Sequence, residues 1–165
     1  MQFVGDEYFA AAGERMRQAR EVHDRGRSYA LSMYLGGLAV ECLLRAFRWR
    51  KDRSFDGRHD LGDLLKASEL LRIDESYGGG RVASGTADGR SDLRDAVIAV
   101  GVLWHNNLRY ASEASARAFF RQAGRGRGIK GDALKKMSSD LIEAALIVID
   151  RGAFLWTSKT RSPRS

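Results

Sequence analysis

Between Ser28 and Trp49 the chain reads S-Y-A-L-S-M-Y-L-G-G-L-A-V-E-C-L-L-R-A-F-R-W. From Tyr29 to Leu44 every position except Ser32 and Glu41 is apolar, aromatic or small. A helix that is apolar on all sides has no face for water and belongs at the centre of a fold, against several partners. A lone carboxylate on such a helix is costly unless a cation or hydrogen-bond donors answer it. Glu41 therefore requires a partner. Arg45, four residues on in the favourable order, is one candidate, and a cation from another segment is the other.

At 165 residues the chain is long enough to bury a core without staples and is expected to form one domain over 1–157, followed by a disordered basic tail over 158–165. Cys42 is the single cysteine, so no disulfide framework is possible. A cytoplasmic location is expected. The start, M-Q-F-V-G-D-E-Y, lacks the basic and apolar blocks of a secretory leader. The apolar run is slightly short for a bilayer and continues into Arg45, Arg48 and Arg50, which favours soluble core over membrane. The net charge is +7 and the isoelectric point about 9.9, with arginine far in excess of lysine. That balance favours polyanionic partners, because the guanidinium fork suits phosphates and stacks on bases.

The lone proline, Pro163, lies in the last few residues, so no proline interrupts a helix before it. Apolar spacing predicts helices over about 6–24 (Phe9, Ala12, Met16, Ala19, Val22) and about 27–51. Asp60, with Asp63 three residues later, predicts the N-cap of a shorter helix carrying Leu61, Leu64, Leu65 and Leu71. A glycine-rich loop spans Tyr77 to Arg90 and lacks the G-K-[ST] ending of a phosphate-binding P-loop. Beyond it, Ser91 or Asp92 would cap a helix reaching about Tyr110. A short helix over 114–122 leads into G-R-G-R-G-I-K-G (Gly124–Gly131), and a last helix runs from about Asp132 to Trp156. The sum is an all-α, up-and-down bundle of about four to five helices.

Three blocks in series, Y-L-G-G-L-A-V-E-C-L-L-R-A-F, R-H-D-L-G-D-L-L and W-H-N-N-L-R-Y, resemble a bacterial HEPN domain over most of Tyr8 to Trp156. The resemblance implies a helical bundle that dimerises. It implies one of two roles: a metal-independent endoribonuclease of toxin–antitoxin or phage-defence type, with an antitoxin as partner, or a non-catalytic companion of a nucleotidyltransferase that binds nucleotide or substrate. The nuclease branch carries Arg, a short spacer, then His on a late helix. Here that helix reads His105-Asn-Asn-Leu-Arg109, with histidine first. Arg17 to His23 and Arg53 to His59 match the spacing only in the first helix and in a loop, so the family's catalytic assignment is not carried over.

On a continuous helix His105 and Arg109 would share a face. Metal-free RNA cleavage needs proton transfer near neutral pH and positive charge on the phosphorane, which histidine and arginine supply. The expected catalytic set is thus His105 as acid/base, Arg109 as phosphate clamp and Glu41 orienting Arg109. The architectural alternatives are a His105 satisfied at a helix end and an Arg109 that simply neutralises Glu41. Asn106, Arg45 and His59 are expected RNA contacts beside that site; Arg125, Arg127 and Lys130 are expected to follow a phosphate chain from the flexible G-R-G-R-G-I-K-G turn. Arg48, Arg50, Lys51 and Arg53 form a denser basic run around Trp49, which is read as core ahead of a base-stacking surface. No Cys/His or carboxylate cluster has metal-ligand spacing, so neither metal nor cofactor is expected.

Overall fold

In the computed structural model, residues 3–26, 28–53, 59–78 and 93–160 are described. Most of the glycine-rich loop, the expected caps Ser91 and Asp92, Arg58 of the second resemblance block and residues 161–165 lie outside them. Among the described residues seven α-helices follow in order: α1 (Gly5–Asp24), α2 (Tyr29–Lys51), α3 (Leu61–Ser68), α4 (Leu70–Ser76), α5 (Leu93–Leu103), α6 (Glu113–Gln122) and α7 (Ala133–Thr160). A 3-10 turn over Asn106–Tyr110 joins α5 to α6, and no strand occurs among the described residues. The all-α bundle is as expected, with more segments than expected because two helices are short.

The long helices begin where local chemistry supplies partners for their unpaired amides. Glu7 reaches back to the Val4 N–H at 2.8 Å. The Ser28 hydroxyl accepts from Leu31 N–H at 3.2 Å, and the Asp60 carboxylate accepts from Asp63 N–H at 2.9 Å, the expected cap. α3 and α4 divide at Glu69, which adopts left-handed backbone with φ 55°. α7 runs to Thr160, past its expected end at Trp156 and into the expected tail.

α2 is long and apolar enough to cross a membrane, yet 67% of its most apolar window is buried inside the protein. Its neighbours are α1, α3, α5, α6, α7 and the 3-10 turn. Two glycines set the depth of that packing. At Gly36 a Cβ would lie 2.6 Å from Leu141 Cδ2 of α7, and at Gly37 it would overlap the indole of Trp104. Gly152 of α7 admits Leu43 in the same way. The Trp104 indole N–H, drawn down onto α2, donates to the Tyr34 carbonyl at 3.1 Å.

One contiguous cluster of buried apolar side chains includes Met33, Val40, Leu43, Leu44, Leu64, Leu70, Val100, Phe120, Leu134, Leu141, Val148 and Leu155. Its polar members form a chain. His23 Nδ1–H donates to Ser138 Oγ at 2.9 Å, Ser138 donates to Ser32 Oγ at 3.3 Å, and Ser32 donates to the Ala19 carbonyl at 2.9 Å. Buried hydroxyls on α2 and α7 are thereby satisfied without water.

Candidate functional site: a basic groove on α6–α7 and the Glu41 cluster

Glu41 is 2% exposed, as its position predicts. Its partners are Arg45, whose Nε–H donates to Oε1 at 2.7 Å, and His59, whose Nδ1 lies 2.8 Å and 3.0 Å from the two carboxylate oxygens. A carboxylate can only accept, so the proton sits on His59 Nδ1. The imidazole remains half exposed, with 54% of its side chain accessible. Arg109 is not part of this cluster: it is exposed, and its guanidinium lies 4.5 Å from the ring centroid of Tyr110.

The physical reason is that α5 stops at Leu103. His105 leaves the helix in extended conformation and caps the 3-10 turn, its Nδ1 accepting from Asn107 N–H at 3.2 Å. At three residues per turn, a residue four along is rotated roughly 120° away, so the common face expected for His105 and Arg109 does not form. His105 therefore sits at a helix end, as the cap of the 3-10 turn. Its ring meets Phe119 of α6, centroids 5.6 Å apart. Both line a small pocket of about 200 Å³ with Asn107, Leu108, Ala111, Ser115 and Ala116; Asn106 is not in that lining.

The turn of glycines and arginines has a definite form. α6 ends in a Schellman motif: Arg125 N–H donates to the Phe120 carbonyl at 2.8 Å and Gly124 N–H to the Arg121 carbonyl at 3.0 Å. Gly124, Gly126, Gly128 and Gly131 all take left-handed backbone, φ between 70° and 84°. The loop is closed by a brace in which Arg117 donates through Nη1 at 2.6 Å and Nη2 at 2.8 Å to the two oxygens of Asp132. Asp132 in turn caps α7, accepting from Leu134 N–H at 3.0 Å and Lys135 N–H at 3.1 Å. The Arg117 hydrogen bonds hold the Asp132 carboxyl down at about 2.

This hairpin encloses a groove of about 470 Å³ lined by Arg117, Phe120, Arg121, Arg125, Gly126, Arg127 and Met137, among others. Arg117 is neutralised by Asp132. Arg121, Arg125 and Arg127 are exposed and form no ion pair among the described residues. Lys130 is exposed on the same loop, outside the groove lining. The basic run at the end of α2 is different in kind: Arg48 bonds Asp52 at 2.7 Å, Lys51 pairs with Glu69, and Arg50 lies over Trp156. Trp49 is half-buried beside Gly5, with Arg53 5.0 Å from its ring centroid.

Sequence reasoning found Arg125 and Arg127 but passed over Arg117 and Arg121. The signal was present: arginines at 117, 121 and 125 recur every four residues, one helical stripe leading into the turn. Among the described residues no group of three or more His, Cys, Asp or Glu could hold a metal ion. Comparison with protein-family models, curated proteins and solved structures returned no match.

Proposed function

We propose that this protein binds RNA, with the α6–α7 hairpin as its phosphate-binding surface. The observation that carries the proposal is the braced groove with three arginines that no carboxylate among the described residues neutralises. Like charges lining one groove repel one another, and a phosphate chain relieves that repulsion while releasing its own counterions. The +7 net charge and the resemblance to HEPN domains support the same class of ligand. Fluorescence anisotropy of a labelled single-stranded RNA across a salt series tests it. In the Arg121→Ala/Arg125→Ala/Arg127→Ala variant, binding weakens and the slope of log K against log salt flattens by about 2, from three lost contacts at about 0.7 each. An unchanged affinity and slope would overturn the proposal.

One observation favours a second reading, metal-independent cleavage of the bound RNA. Glu41 fixes the His59 tautomer and leaves Nε2, on the exposed side of the ring, free to accept a proton, the arrangement of a general base oriented by a buried carboxylate. His59 would take the proton of the 2′-hydroxyl as its oxygen attacks phosphorus; the P–O5′ bond breaks and the leaving oxygen takes a proton from water, giving a 2′,3′-cyclic phosphate and a 5′-hydroxyl end. Total RNA incubated with the protein in EDTA gives such ends on this reading, and His59→Ala and Glu41→Gln abolish them. Binding without turnover instead favours the companion role beside a nucleotidyltransferase.

A further inference from the structure

Helix α6 is a ridge between two hollows of different chemistry. On one flank lies the arginine groove; on the other lies the small pocket of His105, Asn107, Ser115 and Phe119. The ridge is thin. Phe119, which lines the pocket, and Phe120, which lines the groove, have ring centroids 5.2 Å apart, packed edge to face at 73°.

We infer that the pocket takes one unstacked nucleobase of the RNA whose phosphates occupy the groove, so that the protein selects single strands over duplex. This inference rests on the RNA-binding reading and goes beyond it. Three features of the pocket match a base. Phe119 is 45% exposed and lines the pocket, so its ring is available for stacking. The floor and wall, Leu108, Ala111 and Ala116, are apolar, as a flat heterocycle requires. The polar groups suit a base edge: with His105 Nδ1 engaged by Asn107 N–H, the neutral ring carries its proton on Nε2 and donates, while the exposed Asn107 amide both donates and accepts. A duplex keeps its bases stacked and paired, so it can lie along the arginines but cannot fill the pocket.

The experiment compares a short labelled single-stranded RNA with an RNA duplex of the same length, bound to wild type, Phe119→Ala, Phe119→Trp, Ser115→Trp and Arg121→Ala/Arg125→Ala. Circular dichroism melts confirm that each variant is folded. Wild type should bind the single strand more tightly. Phe119→Ala should weaken single-strand binding at least about 5-fold, the loss of one base–aromatic stack, and leave duplex binding unchanged. Phe119→Trp should restore it. Ser115→Trp, which fills the pocket while keeping Phe119, should repeat the loss. The arginine variant should weaken both ligands. Arginine-dependent binding that is indifferent to Phe119 and Ser115, or that falls equally for both RNAs, removes the pocket and leaves the groove standing; failure of wild type to bind either RNA removes both.

Discussion

The contact of Gly37 with Trp104 yields the sharpest stability prediction. In Gly37→Ala the new methyl would overlap Cδ1, Cγ and Nε1 of an indole that is 8% exposed. Those atoms belong to a rigid bicycle, so the ring must move as a unit. Overpacking of this kind costs about 1–3 kcal/mol, and the indole N–H loses its 3.1 Å bond to Tyr34, worth about 1 kcal/mol. Alanine returns about 1 kcal/mol through helix propensity. The net is a destabilisation of about 2 kcal/mol, a fall of roughly 4–8 °C in Tm for a chain of this size. Gly13→Ala is the internal control. It makes the same chemical change in α1, where a Cβ meets nothing within 4 Å, and should stabilise by up to about 1 kcal/mol. Urea denaturation of the three proteins, followed at 222 nm, gives both values. The reasoning is refuted if the two alanines shift the midpoint in the same direction by similar amounts. Because Trp104 adjoins His105, Gly37→Ala should also weaken single-strand binding more than duplex binding.

Glu113→Ala should lower stability by about 1–2 kcal/mol in the same assay, because its carboxylate accepts from Ala30 N–H at 2.8 Å and from the Ser28 hydroxyl at 3.2 Å, tying α6 to the start of α2; a neutral result would remove that tie. Asp132→Asn keeps the α7 cap but discharges the brace. Asp132 titrates at about 2 in the fold, below an unfolded value of about 3.9, so its contribution is complete above pH 4 and is lost as pH falls through 2. The stability gap between wild type and Asp132→Asn should therefore close over that window, and should stay under about 1 kcal/mol because the pair is exposed; a gap that persists below pH 2 contradicts the assignment. Burial, with the Glu41 charge second, pushes the Cys42 thiol up to about 11. Its reaction with a disulfide reagent at pH 8 should run about 100-fold slower than that of an ordinary thiol, and ordinary kinetics would show the environment to be wrong.

The sequence makes the long helices legible because nothing interrupts their 3.6-residue apolar period and no proline lies within them. The burial of Glu41 is equally readable, since a charge at the centre of an all-apolar helix has nowhere to go but inside. Its partner was harder. Arg45 is readable as an i,i+4 neighbour, but Arg109 is the expected partner only on the assumption that α5 continues to Tyr110, which it does not. Periodicity does not register a helix that ends because Trp104 is drawn onto a glycine and His105 caps the next turn with its own ring. His59 belongs to a loop, and loops are placed by what they pack against; only the fold brings it onto Glu41. The break at Glu69 was equally hidden, because no glycine or proline marks it.

The loop between α6 and α7 alternates cations with residues of inverted backbone handedness. A mirror-image amino acid occupies that conformation at ease, so D-alanine at Gly124 or Gly128, both at positive φ, should be accepted where L-alanine is strained. Chemical ligation of the C-terminal third would thus permit the cradle to be stiffened without altering a single charge. A tighter grip on RNA from such a semisynthetic protein would show that the arginines act from a preset frame.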